Sequence, residues 1–345
     1  MKHVFAVTSH LTFSIAKTIV AQRRIASDDC VLFLVRGYRL SSAAQQQFKH
    51  VIETNYNVDR DKGRVFAGLN VLATHRNIRQ FDDKVDIVVG TEDFVWYTPV
   101  CSNDICSLMV TKRNCCGYYV IEDGFASYRT CNPQTFTGLR YGVYLCLLRP
   151  LFPRIFAVKN HFITTNHPKF KGCIATSELC FPLHQQYLSV IGNPFERLEW
   201  DTYPDVVLSV DPLYQFVSDE YMEQIYTALA QYMMQHHAYS RMLYKFHPRF
   251  DAEENRSRRL TYEAIIKRLF PTAKEMDRSV VLESLLASCG ADFYSCNSSV
   301  ALYAAPSGTT CYNIMPNLKG TDGYAENDVM SRLTKPLDFG FRYHD

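Results

Sequence analysis

Three short clusters in this sequence carry side chains suited to moving a proton and holding a phosphate: Glu122-Asp123-Gly124, His247-Pro248 and Ser298-Ser299. A carboxylate whose pKa is lifted by partial burial or a like-charged neighbour can take a proton from a hydroxyl. A histidine and hydroxyl donors can stabilise the charge that builds on a departing phosphate. Pro248 fixes its own φ and drives His247 toward an extended conformation, which presents the imidazole at the end of the apolar run Met242–Phe246. Gly124 permits a sharp exit from the run Tyr118–Ile121. Neighbouring side chains on an extended chain point apart, so at most one of Glu122 and Asp123 faces the reaction. Asn297-Ser298-Ser299 opens the run Val300–Ala305, and a helix starting there offers free backbone N–H groups to an anion. The plainer readings are a strand-ending turn with a surface histidine, and simple N-capping by Asn297 or Ser298.

An alternation of strands and helices has to position these clusters. His3–Val7 reads as a strand, Thr8-Ser9-His10 as a polar turn, and Phe13–Arg23 as a helix with Phe13, Ala16, Ile19 and Val20 at helical spacing. Val31–Val35, Val85–Gly90 and Tyr118–Ile121 read as further strands, and Phe162–Thr165 as a short one. A second His-Pro, His167-Pro168, follows it; this histidine competes with His247 and ranks below it because no phosphate-binding feature comes after it. The irregular stretch Asn193–Pro204 separates a domain over 1–200 from one over 201–345. The second restarts the alternation with a strand at Val206–Val210, a turn at Asp211-Pro212, a helix over Asp219–His236 capped by Ser218, and a strand over Arg241–Phe246. Leu260–Leu269 and Val280–Ala287 read as helices, and Ala291–Ser295 as the strand before the serine pair. All three clusters then fall at the carboxyl ends of strands, where open α/β sheets bind ligands.

Composition removes several function classes. A net charge of +2 over 345 residues leaves no global basic field for nucleic acid. The 12 cysteines are scattered without a CxxC pair, which is not zinc spacing, and no metal site is expected. The start, Met1–Val7, runs straight into a strand pattern without a secretion signal, so reduced thiols and a cytoplasmic protein are expected. No run of 18 apolar residues occurs. Leu139–Val158, broken by Arg140, Arg149, Pro150, Pro153 and Arg154, reads as a buried helix and loop, with peripheral contact to the inner membrane as the alternative. Arg256-Ser257-Arg258-Arg259 reads as a solvated face, and His236-His237 as the end of a helix. Walker A, GxGxxG, GxSxG and HExxH patterns are missing.

The order of the clusters resembles the bacterial sialyltransferases of the lipooligosaccharide type, glycosyltransferase family 52, and the related polysialyltransferases. That family has a D/E-D/E-G motif, an HP motif and a later S/T-S pair, matched here by Glu122-Asp123-Gly124, His247-Pro248 and Ser298-Ser299. Met242–Arg249 is similar to its YKPHPR-like segment with Phe246 in place of a proline, and Leu282–Leu286 to its acidic helix. Thr8-Ser9-His10-Leu11-Thr12 departs from its TPLQ-like turn. The resemblance implies a GT-B architecture of two Rossmann-like domains facing each other across a cleft, the first on the acceptor side and the second binding a CMP-sugar. It implies an inverting, metal-independent transfer of sialic acid from CMP-sialic acid to a galactose-terminated surface glycan. Asp123 is then the first candidate for the base and Glu122 the second. His247, with Pro248 and Lys245 beside it, supports the phosphate, and Ser298 and Ser299 bind it. Ser209 and Asp211 stand near the cytidine. Other readings are a transferase for Kdo or another CMP-linked nonulosonic acid, a non-catalytic polysaccharide-assembly protein, and a phosphorylase or epimerase on the same fold.

Overall fold

Every residue of Cys30–Leu34, Phe94–Thr98 and Val206–Val210 is buried. Unbroken apolar burial of this kind belongs to parallel strands covered by helices on both faces. The computed structural model describes residues 1–35, 38–54, 71–99, 104–128, 167–236, 241–251, 253–296, 298–321, 328–341 and 343. The chain divides into two units, Met1–Pro194 and Phe195–Asp345, each built on one parallel sheet.

The first unit holds β1 (Lys2–Val7), β2 (Cys30–Leu34), β3 (His50–Glu53), β4 (Phe94–Thr98), β5 (Cys115–Ile121), β6 (Phe170–Ala175) and β7 (Leu188–Val190), in the order β3-β2-β1-β4-β5-β6-β7. The strand order reverses between β1 and β4, which makes that gap the switch point. Helix α1 (His10–Gln22) follows β1 at once. Ser9 caps it, accepting the Thr12 N–H while the Thr12 hydroxyl accepts the Ser9 N–H. Its Leu11, Ile15, Ala16 and Ile19 are buried at helical spacing.

The segment expected as a strand at Val85–Gly90 is instead the last turns of helix α2 (Val71–Val89). Ile78, Phe81, Val85 and Val89 bury one face at steps of three and four, and that longer period outweighs the short apolar run. Gly90 closes the helix at φ 59, in the left-handed region. The strand of this repeat is β4, four residues further on.

The second unit holds β8 (Val206–Val210), β9 (Met242–Phe246), β10 (Lys274–Glu275), β11 (Asp292–Ser295), β12 (Cys311–Asn313) and β13 (Lys335–Pro336), in the order β10-β9-β8-β11-β12-β13. Its switch point lies between β8 and β11. Helix α3 (Asp219–His236) and helix α4 (Arg256–Leu269) pack on one face. There Val206, Leu208, Val210, Met242, Tyr244 and Phe246 meet Met222, Ile225, Tyr226 and Leu229 of α3, and Tyr262 and Ile266 of α4, in one core. The short helix α5 (Leu282–Leu286) precedes β11. Among the described residues no helix is long and apolar enough to cross a membrane. The expected strand Phe162–Thr165, the whole segment Leu139–Val158, Asn297 and His237 lie outside the described residues.

Candidate functional site

The first unit brings one carboxylate to its C-terminal rim, the side on which its strands end. The ladder between β5 and β6 continues through the Glu122 N–H, which donates to the Ile174 carbonyl at 3.0 Å. The two acidic side chains then part. Glu122 turns inward, is fully buried, and accepts three hydrogen bonds: from the Thr176 N–H at 2.8 Å, the Thr176 hydroxyl at 2.7 Å and the Tyr128 hydroxyl at 2.8 Å. Burial pushes the Tyr128 hydroxyl far up, and the adjacent Glu122 charge pushes it further. Glu122 is therefore a clamp joining the ends of β5 and β6, and its place as a candidate base is corrected: a sealed carboxylate held by three donors has no acceptor hydroxyl to deprotonate.

Asp123 turns outward and is half-buried. Its N–H donates to the Ser127 hydroxyl at 2.9 Å, and its Oδ1 accepts from the Thr8 hydroxyl at 3.3 Å. Thr8 leaves β1, so this bond reaches across the end of β4 at the switch point. Gly124, at φ 60, supplies the left-handed step that ends the exposed part of the turn. On the same rim His10 is exposed at the start of α1, and its Nδ1 pairs with the Tyr38 hydroxyl at 2.9 Å.

The second unit gathers the other candidates on its own C-terminal rim. The His247 N–H donates to the Val210 carbonyl at 3.0 Å, extending the pairing of β9 with β8 by one residue. Its Nδ1 accepts the Arg249 N–H at 3.2 Å. A ring nitrogen that accepts from an amide is unprotonated, so the neutral imidazole carries its proton on Nε2. Burial, and then the Arg249 charge, lower the His247 pKa to about 4, so the ring is neutral near pH 7 and offers an Nε2–H donor. Behind it Pro248 is exposed and Phe250 is buried in the core. The Arg249 guanidinium donates to Gln215 Oε1 at 2.5 Å. Ser298 and Ser299 leave β11, which lies two strands from β9, a separation of about 10 Å at the usual spacing of parallel strands. The Ser298 hydroxyl accepts the Val300 N–H at 3.3 Å in a local turn, and the helix that follows, Ala301–Ala304, has Val300 at its N-cap and no side-chain cap.

Just below this rim a polar row crosses the sheet on one face. Lys245 of β9 is in register with Ser209 of β8, and Ser295 of β11 with Asn313 of β12. Tyr294 is in register with Leu208, which sets Ser295 level with Ser209. The Ser295 hydroxyl is buried without a hydrogen-bond partner. The Lys245 ammonium donates to the Val280 carbonyl and, at 3.4 Å, to the Arg278 carbonyl. Burial lowers its pKa, with Glu283 of α5 pulling the other way. Ser209 and Asp211, expected near a nucleoside, bond each other and the exit of β11. Both are buried, the Ser209 hydroxyl donates to Asp211 Oδ1 at 3.1 Å, and Asp211 Oδ2 accepts the Cys296 N–H at 2.7 Å.

The arginine cluster is not simply solvated. Arg259 lies over the Phe246 ring and pairs with Glu275, and Arg258 lies over Tyr214. Among the described residues no group of three His, Cys, Asp or Glu side chains is placed to hold a metal ion. Thr8 and Thr176, the hydroxyls that sort Asp123 from Glu122, carry no pattern that marks them; each is a lone threonine one residue past a strand.

No family model matches the chain, and no curated protein matches it. Solved structures do resemble it. One is an S. aureus MnaA–UDP structure, 9% identical, covering 93% of this chain and 80% of its own, with TM-score 0.52. A second is a putative UDP-N-acetylglucosamine 2-epimerase from Listeria monocytogenes, 10% identical, covering 91% and 79%, with TM-score 0.57. A third is the E. coli ADP-heptose LPS heptosyltransferase II, 10% identical, covering 100% and 93%, with TM-score 0.44. With the two parallel sheets they identify the fold as GT-B, two Rossmann-like domains. The resemblance to lipooligosaccharide sialyltransferases is overturned, since the S. aureus and Listeria structures are described by UDP and by a UDP-sugar and not by a CMP-sugar. The motif order that carried the resemblance follows from the topology: polar turns after β5, β9 and β11 come in that sequence in any chain wound this way.

Proposed function

We propose that this chain transfers a sugar from a nucleotide-linked donor to a hydroxyl acceptor, with Asp123 as general base and the C-terminal rim of the second unit as the phosphate site. The observation that carries the reading is His247, a neutral imidazole at the end of β9 whose Nδ1 accepts the Arg249 N–H and whose Nε2–H is left as the donor, on the rim that also bears Ser298 and Ser299. The acceptor oxygen attacks the anomeric carbon while the bond from that carbon to the donor's phosphate oxygen breaks. The acceptor's proton passes to Asp123, and the electron pair of the broken bond stays on the phosphate. A ring that is already neutral gives the leaving phosphate a hydrogen bond and keeps its proton, so His247 acts as an electrostatic donor and not as an acid. The serine hydroxyls add donors beside it. The reading includes no metal, and turnover is expected to survive EDTA.

UDP-linked sugars are the first donors to test, because the two structures with the higher TM-scores are described by UDP or a UDP-sugar. The assay incubates the protein with UDP-N-acetylglucosamine, UDP-glucose, an ADP-heptose and CMP-Neu5Ac, with and without a panel of sugar acceptors, and identifies products by mass. Acceptor-dependent transfer from any donor supports the reading. Silence across the panel, with no nucleotide bound, defeats it. The Listeria neighbour favours a second reading, epimerisation of a UDP-sugar, which yields a new sugar nucleotide without an acceptor.

A further inference from the structure

The Asp211 carboxylate lies between the end of β8 and the exit of β11, the two strands that flank the switch point of the second unit. Its Oδ2 accepts the Cys296 N–H at 2.7 Å, one residue past β11, and its Oδ1 accepts the Ser209 hydroxyl at 3.1 Å. The side chain is 7% exposed, so it is not a surface acid that happens to touch a loop. Cys296 is two residues before Ser298 in the chain.

We infer that Asp211 is the positioning residue of the phosphate rim: by holding the Cys296 N–H against the end of β8, it sets where the Ser298 and Ser299 hydroxyls stand for a bound phosphate. The inference rests on the donor-site reading above and adds a regulator to it. Burial raises the Asp211 carboxyl to about 7, against the pull of the Cys296 N–H and the Ser209 hydroxyl. The titratable groups around it are the Tyr226 hydroxyl of α3 and the Cys296 thiol, both pushed far up by burial and by Asp211, and the neutral His247 at the end of β9. None of these changes charge between pH 6 and 8, which leaves Asp211 as the group that titrates there. A phosphate arriving on the rim disfavours a second negative charge beneath it, so binding couples to protonation of Asp211.

The test is calorimetric titration of the full chain with UDP-N-acetylglucosamine, whose pyrophosphate keeps one charge state from pH 6 to pH 8.5. Wild type should bind about tenfold more weakly at pH 8 than at pH 6. Asp211→Asn keeps an acceptor for the Cys296 N–H and a partner for Ser209, and should hold the tighter affinity at every pH. Asp211→Ala loses the tie and should bind weakly throughout. An Asp211→Asn protein that keeps the wild-type slope, or a wild type with no slope, overturns the inference. Absence of nucleotide binding by all three proteins defeats the donor-site reading, and the Asp211 titration is then read without a ligand. Thermal unfolding then still separates the two failures: the folded carboxyl titrates near 7 and the unfolded one near 3.8. Wild type therefore loses stability relative to Asp211→Asn as pH rises from about 4 to 7, and the difference levels off above 7, whether or not a nucleotide binds.

Discussion

Each unit contains a His-Pro step followed by a basic residue, and the two steps fold alike. His167 Nδ1 accepts the Lys169 N–H at 3.2 Å, as His247 Nδ1 accepts the Arg249 N–H at 3.2 Å. The Phe170 N–H returns to the His167 carbonyl at 2.9 Å, and the Phe250 N–H to the His247 carbonyl at 3.0 Å. Their places in the sheets are opposite. His167 leads into β6, so it sits where that strand begins, against Tyr118 in the middle of β5, and Lys169 two residues on donates to the Val110 and Lys112 carbonyls. His247 leaves β9 on the rim where strands end. One tripeptide thus serves as a strand entry in one unit and as a candidate anion contact in the other. Chain direction through the sheet assigns the role, and the local motif does not.

The same lesson holds inside a single dipeptide. Glu122 and Asp123 are neighbours with the same chemistry, and strand alternation sends one into a sealed hydrogen-bond clamp and the other to the rim.

Four substitutions test these contrasts, ordered by expected effect. Asp123→Asn should lower turnover about 10³-fold or more while nucleotide affinity persists, the range for removing a general base; retention of turnover in steady-state assays would erase the distinction within the dipeptide. Glu122→Ala should leave the buried Tyr128 hydroxyl and the half-buried Thr176 N–H and hydroxyl without their acceptor and lower unfolding free energy by ~2 kcal/mol in denaturant titrations. His247→Ala should cost about 10²-fold in turnover, with His247→Gln recovering part of it through its amide N–H. The wild-type rate should show no inflection from this ring between pH 5 and 9, because its pKa lies near 4. His167→Ala should change turnover less than about twofold, as ordinary surface substitutions do. A loss at His167 equal to that at His247 would break the comparison of the two rims.

Much of the fold is legible in the residues themselves. The buried runs of β1, β2, β8, β9 and β11 and the face of α3 announce their type by composition and period. The Val85–Val89 segment misleads because five apolar-rich residues fit a strand as well as the last turn of a helix; only the spacing back to Ile78 decides. The site is legible at its strand exits and illegible in its partnerships. Asp211-Pro212 reads as an exposed turn, yet the N–H that Asp211 holds belongs to a residue 85 positions later. Lys245 beside a histidine reads as a phosphate ligand, yet its ammonium is taken by carbonyls of the chain before α5. Bonds across such sequence distances depend on how the sheet is wound, which no local pattern reports.

The polar row of Lys245, Ser209, Ser295 and Asn313 has a consequence for assembly of the second sheet. Sliding any of these strands by one position would turn its polar member toward the apolar layer formed with α3 and α4, and would bring an apolar neighbour to the opposite side. The row thus works as an alignment key: mispaired intermediates are penalised at several strands at once, and removing the key, as in Ser209→Val with Ser295→Val, should produce heterogeneous refolding even where the final native state is no less stable.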